Sequence, residues 1–437
     1  MNRILKLISI ILILLGLLFN EYFISTYFSY DDSISRLDIR YGIWGFQSIC
    51  FILGICIFFF NEKLSNRIKH GILNISLFGF SVLISLFLAE IITRIISPIP
   101  NGYPTGDLLF QSDSVLGWKF IPNLKTTVNW PLESSIEVDI NNNGFRDDKN
   151  KDLNSIWLIG DSFVSSLEVN KNKRFTEILE AKINQEINNF GVNGYGPIQY
   201  YLLTKELLKT HKPEHIFYLF YIRNDIYDAS GVQDWIHGFS RPIIKQDSFI
   251  YPSNYLTKSV QEDQKRYLKK NPIRPEDSHL YNHLQRANQS LTTSNLIPPE
   301  IGLLNTKIDS LHTLSWSATF EALTAIKKIC TQNEIPFTLI LAPTPVQVET
   351  NLWQEIVEQY QLNESDFDLN LPQKKLIHYF KTNAIPYFDL TESLQLEWER
   401  TNQDVYFKRN LHWNELGHKI VAITLYDSLF HKKRRLN

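Results

Sequence analysis

An apolar run that halts on a glycine, Ser155-Ile156-Trp157-Leu158-Ile159-Gly160-Asp161-Ser162-Phe163, constrains this chain more than any other stretch. Residues 155–159 suffice for a short buried strand, and Gly160 permits the sharp turn that ends it. Ser162 then falls where a helix would begin, beside backbone N–H groups that face open space. Such a place suits a developing oxyanion. Taken alone, Asp161 and Ser162 serve equally well as helix caps, since both side chains accept orphan N–H groups at helix starts.

The same strand-then-helix pattern recurs downstream. Phe175, Ile178, Leu179 and Ile183 have helical spacing. Residues 187–190 read as a strand entering Asn189-Phe190-Gly191-Val192-Asn193-Gly194-Tyr195-Gly196, and Pro197 opens the next helix. Residues 216–222 are almost continuously apolar, as in a strand covered on both faces, and lead into Arg223-Asn224-Asp225. A helix over 316–332, a strand over 337–342, helices near 352–361 and 371–383, a strand over 385–390 and a closing helix over 415–430 follow. Alternation of this kind predicts a parallel sheet with helices on its faces. Ser162, Gly194 and Asn224 all stand at the carboxyl ends of strands, where such sheets bind ligands. Asn410-Leu411-His412-Trp413-Asn414 immediately precedes the closing helix.

The order of G-D-S, N-x-G-x-x-G, N-D at a strand end and a late histidine resembles the SGNH (GDSL-type) hydrolases over roughly residues 155–429. The resemblance implies an α/β, flavodoxin-like three-layer α/β/α fold and a serine enzyme that hydrolyses esters or transfers acyl groups without a cofactor. It makes Ser162 the nucleophile and His412 the base. The oxyanion hole would comprise the backbone N–H groups of Ser162 and Gly194 and the side-chain amide of Asn224, with Asp161 in support. Two positions depart from the pattern. The family usually has an aspartate two or three residues before its histidine, whereas here Asn410 stands there and no acid lies between Lys408 and His412. The Asn410 amide oxygen could orient the imidazole, or Asp404, Asp389 or a backbone carbonyl could take that place. Arg223 stands where related sequences often carry glycine, which narrows the room expected at the oxyanion side.

The first hundred residues are of another kind. Residues 4–19, 43–60 and 72–89 are apolar runs, the last two uncharged, and each approaches the roughly 20 residues that cross about 30 Å of hydrocarbon. A cleaved signal peptide competes for the first run, but no small-x-small site follows Phe19. Arg3 and Lys6 at the N-terminus, and Lys63, Arg67 and Lys69 between the second and third runs, assign those segments to the cytoplasm. Three crossings would then place everything after Pro98 outside it. The expected organisation is a membrane region over 1–97 with about three transmembrane helices, a linker and small β leader over 98–152, and the hydrolase-like domain over 153–437. The leader carries Leu116-Gly117-Trp118 and Asn143-Gly144-Phe145-Arg146, whose large side chains are expected to pack on the main domain. Residues 229–314 break the alternation and read as a lid-like insertion or a surface excursion. The basic end, residues 431–435, reads as a solvated tail.

A formal net charge of −2 gives no electrostatic footprint for nucleic acid. The three cysteines, Cys50, Cys56 and Cys330, have no disulfide or metal spacing. His412, Glu415 and His418 do not share one helical face, so no metal site is assigned; His418 is expected to pack or cap. The sequence therefore predicts a multi-pass inner-membrane protein with an extracytoplasmic, periplasmic serine esterase domain. Its partners would be the membrane and an ester substrate, an acylated glycan or a lipid being the candidates. An acyltransferase, or a catalytically weak binding or assembly protein of the same fold, is the alternative, the latter resting on Asn410.

Overall fold

The structure is a computed structural model of the 437-residue chain. It describes residues 2–28, 34, 37–60, 62, 66–96, 109–130, 134–231, 241–245, 248–250, 280, 299–307, 310–408 and 410–431. Most of the expected 229–314 insertion, and all but the first residue of the basic tail, lie outside the described residues. The chain divides into two compact units, residues 1–102 with 257–292 and residues 103–256 with 293–437.

The first unit is helical. Helices α1 (Asn2–Leu18) and α2 (Glu21–Phe28) meet at an angle of 60°, and α3 (Leu37–Phe60) and α4 (Asn66–Ile96) follow. Among the described residues two helices are long and apolar enough to cross a membrane, or three if the bent pair forms one span. The expected first run, residues 4–19, coincides with α1, and Asn20 is what separates it from α2. Its side-chain oxygen accepts the Phe23 N–H at 2.8 Å and its amide donates to the Leu17 carbonyl at 2.7 Å, so it closes one helix and caps the next. α1 packs on α3 through small residues. A Cβ on Gly54 would stand 2.7 Å from Ile13 Cγ1 and 3.0 Å from the Ser9 carbonyl, so close approach requires glycine there.

The second unit begins with two antiparallel hairpins, β1 (Phe110–Asp113) with β2 (Gly117–Phe120), and β3 (Lys125–Trp130) with β4 (Ser134–Asp139). The small β leader expected over 98–152 is thus two hairpins. The parallel sheet follows, built of β5 (Ile156–Gly160), β6 (Ile187–Gly191), β7 (His215–Tyr221), β10 (Phe337–Ala342) and β11 (Tyr387–Asp389); β8 (Ile243–Lys245) and β9 (Ser248–Ile250) form a separate hairpin, with Ile244 packed against the core. The spatial order is β11-β10-β7-β5-β6, and every neighbouring pair is parallel. Counted within the sheet this is 2-1-3-4-5, the flavodoxin-like order, whose switch point lies between the first and third strands. Each face carries its own apolar cluster. Trp157, Ile159, Phe190, Tyr218 and Leu339 face one side with the leader and the helix Ser310–Gln332. Leu158, Phe217, Leu219 and Ile340 face the other with α6 (Phe175–Ile183) and the closing helix Glu415–Leu425. Burial on both faces explains why these strands read as unbroken apolar runs.

Candidate active site

β5 ends at Gly160 because no side chain fits there: a Cβ would meet Val164 Cγ2 at 2.4 Å and the Leu219 carbonyl at 3.2 Å. The short helix α5 (Ser162–Ser165) starts immediately, and Asp161 caps it by accepting the Phe163 N–H at 2.9 Å. The cap reading of Asp161 and the serine-at-the-switch-point reading therefore describe the same turn. Burial raises the Asp161 carboxyl to about 7, against the lowering effect of its hydrogen bonds, with Asp228 adding to the rise.

The loop before the closing helix returns a histidine to this turn. His412 Nε2 lies 2.7 Å from Ser162 Oγ, 250 residues away in the chain. Its Nδ1 lies 2.9 Å from the backbone carbonyl of Asn410. A carbonyl only accepts, so the proton belongs on Nδ1 and Nε2 is left free to accept from the serine. The Asn410 side-chain oxygen accepts the backbone N–H of His412 at 2.9 Å and so folds the turn rather than meeting the ring. Neither of the acids weighed from the sequence reaches the imidazole. Asp389 accepts from Thr391, and Asp404 pairs with Lys408 at 3.1 Å. Instead a carboxylate that sequence reasoning missed, Glu168, places Oε1 3.6 Å from His412 Nδ1 and is 1 % exposed. The signal available was an acid set between two apolar residues, Leu167 and Val169, both of which are buried.

His412 is held neutral. Burial lowers its pKa to about 4, the Asn410 carbonyl opposing and the positive charge of Arg223 assisting. Phe163 covers the ring at 4.8 Å between centroids, and Trp130 at the end of β3 stands 6.3 Å away. His418 packs: its Nδ1 accepts the Phe175 N–H at 3.3 Å, and its ring stacks on Phe175.

Gly194 takes a positive φ of 76°, a conformation that glycine adopts without cost, in the loop after β6. That loop is pinned by the leader. Trp118 donates its indole N–H to the Asn193 carbonyl at 2.9 Å, Tyr195 donates its hydroxyl to the Trp118 carbonyl at 2.6 Å, and Gln199 donates to the Leu116 carbonyl at 2.8 Å. The second leader motif holds the serine side. Buried Arg146 donates to the carbonyls of Ser165, Ser166 and Val169, while Phe145 packs edge-on against Phe190 at 4.9 Å. Asn224 lies in α7 (Ile222–Asp228), one residue beyond half-buried Arg223. Its amide donates to Asp228 at 2.9 Å and to Asp161 at 3.3 Å. Below it, Asp225 accepts from Tyr200 and from the Tyr221 N–H, and burial raises its carboxyl well above the usual range.

No family model matches the chain, and no curated protein matches it. Among solved structures, a lipolytic protein of the G-D-S-L family from Veillonella parvula is 14 % identical, with a TM-score of 0.32 over 63 % of this chain and 98 % of that one. An acetyl xylan esterase is 12 % identical, with a TM-score of 0.33 over 63 % of this chain and 100 % of that one. A GDSL-like lipase from Bacteroides thetaiotaomicron is 9 % identical, with a TM-score of 0.30 over 63 % and 87 %. With a serine at the switch point of a parallel 2-1-3-4-5 sheet, and a histidine returned to it by the last loop, this chain has a flavodoxin-like α/β fold of the kind that the SGNH (GDSL-type) resemblance implies.

Proposed function

We propose that this protein is a membrane-anchored, extracytoplasmic serine esterase that cleaves an acyl or acetyl ester. The observation that carries the reading is the 2.7 Å contact between Ser162 Oγ and His412 Nε2, with Nδ1 turned to a carbonyl that fixes the tautomer. As Oγ bonds to the acyl carbon, its proton passes to Nε2 and the carbonyl π pair moves onto oxygen. The backbone N–H groups of Ser162 and Gly194 are the donors proposed for that oxyanion. Asn224 would join them by turning the amide hydrogen now on Asp161, the longer of its two bonds at 3.3 Å. Collapse breaks the bond to the leaving oxygen, which takes the proton from Nε2. Water then attacks the acyl-serine by the same route and restores the enzyme; an acceptor hydroxyl in place of water would make the reaction an acyl transfer.

The apolar helices and the loop charges support a multi-pass anchor with the catalytic unit outside the cytoplasm, and hence an acylated cell-envelope glycan or lipid as substrate. One observation favours the catalytically weak alternative, namely that both Asn224 amide hydrogens are engaged by carboxyls. The test is hydrolysis of a short-chain ester panel by the full chain in detergent, alongside Ser162→Ala. Hydrolysis lost in Ser162→Ala is expected; hydrolysis that survives the substitution removes the mechanism, and its absence in the wild type favours the alternative.

A further inference from the structure

We propose that Glu168 is the positioning residue that supplies the anionic partner of His412, in place of the acid missing near Asn410. The proposal rests on the serine–histidine reading above and deepens it.

Three observations lead there. First, Glu168 Oε1 is 3.6 Å from His412 Nδ1, the nitrogen that faces away from Ser162. Second, the carboxylate is 1 % exposed, so a charge there is not screened by water. A buried carboxylate is costly unless paired, and here a cation is near: the charge of Glu168 helps hold the buried Arg146 protonated. Third, the segment bearing Glu168 is fixed in place. Arg146 donates to the carbonyls of Ser165, Ser166 and Val169 on either side of it, and Trp130 donates its indole N–H to the Leu167 carbonyl at 3.0 Å. Packing has thus spent a buried arginine and a tryptophan on the loop that presents one acid to one imidazole.

The two groups at Nδ1 divide the work that one aspartate does elsewhere. The Asn410 carbonyl at 2.9 Å fixes the ring and its tautomer. It carries no charge, so it does little for the imidazolium formed when Nε2 takes the serine proton. Glu168 answers that charge, and the Nδ1 proton stays on the ring throughout. Because the carbonyl keeps the tautomer correct, loss of Glu168 should cost less than the ~10⁴-fold seen when a triad aspartate becomes an amide.

The test uses the full chain in detergent, with p-nitrophenyl acetate as the probe ester. Glu168→Gln keeps the shape and removes the charge. Expected is a fall in kcat of about 10²- to 10³-fold with KM little changed, and part of the rate recovered by Glu168→Asp. A merely structural glutamate would not alter the ring itself, so the second readout is the NMR resonance of the His412 Nδ1 proton, assigned by its disappearance in His412→Gln. It should move upfield in Glu168→Gln. The other charged and titratable groups near this ring are Arg223 from α7 and His418 from the closing helix, backed by Arg146 and Arg174; all stay unchanged in the variants. Activity within threefold of wild type and an unmoved Nδ1 resonance in Glu168→Gln would overturn the proposal. A wild type that cleaves no ester, with a resonance that still moves, would support the Glu168–His412 pairing and instead overturn the esterase reading. Should Glu168→Gln fail to melt cooperatively, Glu168→Asp carries the test, with an intermediate resonance expected and a wild-type resonance and rate refuting it.

Discussion

Trp118→Phe tests whether the leader is part of the catalytic apparatus or only packed against it. Trp118 is fully buried, and its indole N–H holds the Asn193 carbonyl at 2.9 Å, one residue before the glycine proposed as an oxyanion donor. Phenylalanine keeps an aromatic ring but has no donor. The stranded buried carbonyl costs about 1–3 kcal/mol. The volume lost from the ring adds about 1 kcal/mol, a fraction of the ~3–5 kcal/mol of a full Trp→Ala truncation. The sum is about 2–4 kcal/mol. At ~2–4 °C per kcal/mol for a domain of this size, Tm should drop by roughly 4–16 °C. The kinetic consequence is separate. Complete loss of an oxyanion donor costs about 2.7–4 kcal/mol, so a loosened Gly194 N–H that forfeits a third of this loses about fivefold to tenfold in kcat. The assay is a thermal melt of the full chain in detergent, paired with steady-state hydrolysis of p-nitrophenyl acetate at a temperature where both proteins are folded. A lowered Tm with kcat unchanged would refute the argument that Trp118 sets the geometry of the Asn193–Gly194 loop. An unchanged Tm would refute the energetic reasoning itself.

Four further outcomes follow from the same geometry. Asn410→Ala should lower kcat by less than about tenfold, because the backbone carbonyl that meets Nδ1 survives and only a turn hydrogen bond worth ~1 kcal/mol is lost; a loss as large as that of Ser162→Ala would assign the ring's orientation to the amide. The acid limb of kcat/KM should lie near the depressed pKa of His412, about 4, since the neutral ring is the base and activity is lost as pH falls through that value; a limb at the ordinary 6.5 would contradict the buried setting. His418 is held neutral when folded, at about 3, so its own contribution to stability falls as pH drops from 6.5 toward 4, while the raised carboxyls of Asp161 and Asp225 act the opposite way. The Tm difference between His418→Gln and the wild type should therefore move in the variant's favour as pH falls from 7 to 4, as calorimetry can measure, and a difference that stays constant would refute it. Reporter fusions after Arg67 and after Gly117 should report opposite sides of the membrane; two cytoplasmic signals would sink the proposed topology.

The sequence by itself determined what is local. A buried strand, a glycine turn and a helix start are written in a few consecutive residues, so Gly160-Asp161-Ser162, the alternation of strands and helices, and the apolar helices could be read directly. The late histidine was legible because its loop precedes a closing helix whose Asn414 cap accepts the N–H groups of Leu416 and Gly417. The end of the first apolar run before Asn20 was local too, but that Asn20 closes one helix and caps the next shows only in its two hydrogen bonds. What only the tertiary structure decided is which groups meet across the sheet. Glu168 is one acid among 46 acidic residues, and nothing in its neighbours states that burial and Arg146 would aim it at His412. The leader's Leu116-Gly117-Trp118 and Phe145-Arg146 looked like packing, and they do pack; that one grips the Gly194 loop and the other the Glu168 loop depends on the fold bringing both hairpins to the switch point. The partners of Asn224 are of the same kind. Periodicity records which face of an element is buried, because the hydrophobic effect is non-directional and repeats with the backbone. Hydrogen bonds and charge pairs are directional and act over a few ångströms, so which of them form is settled only when distant segments are packed together.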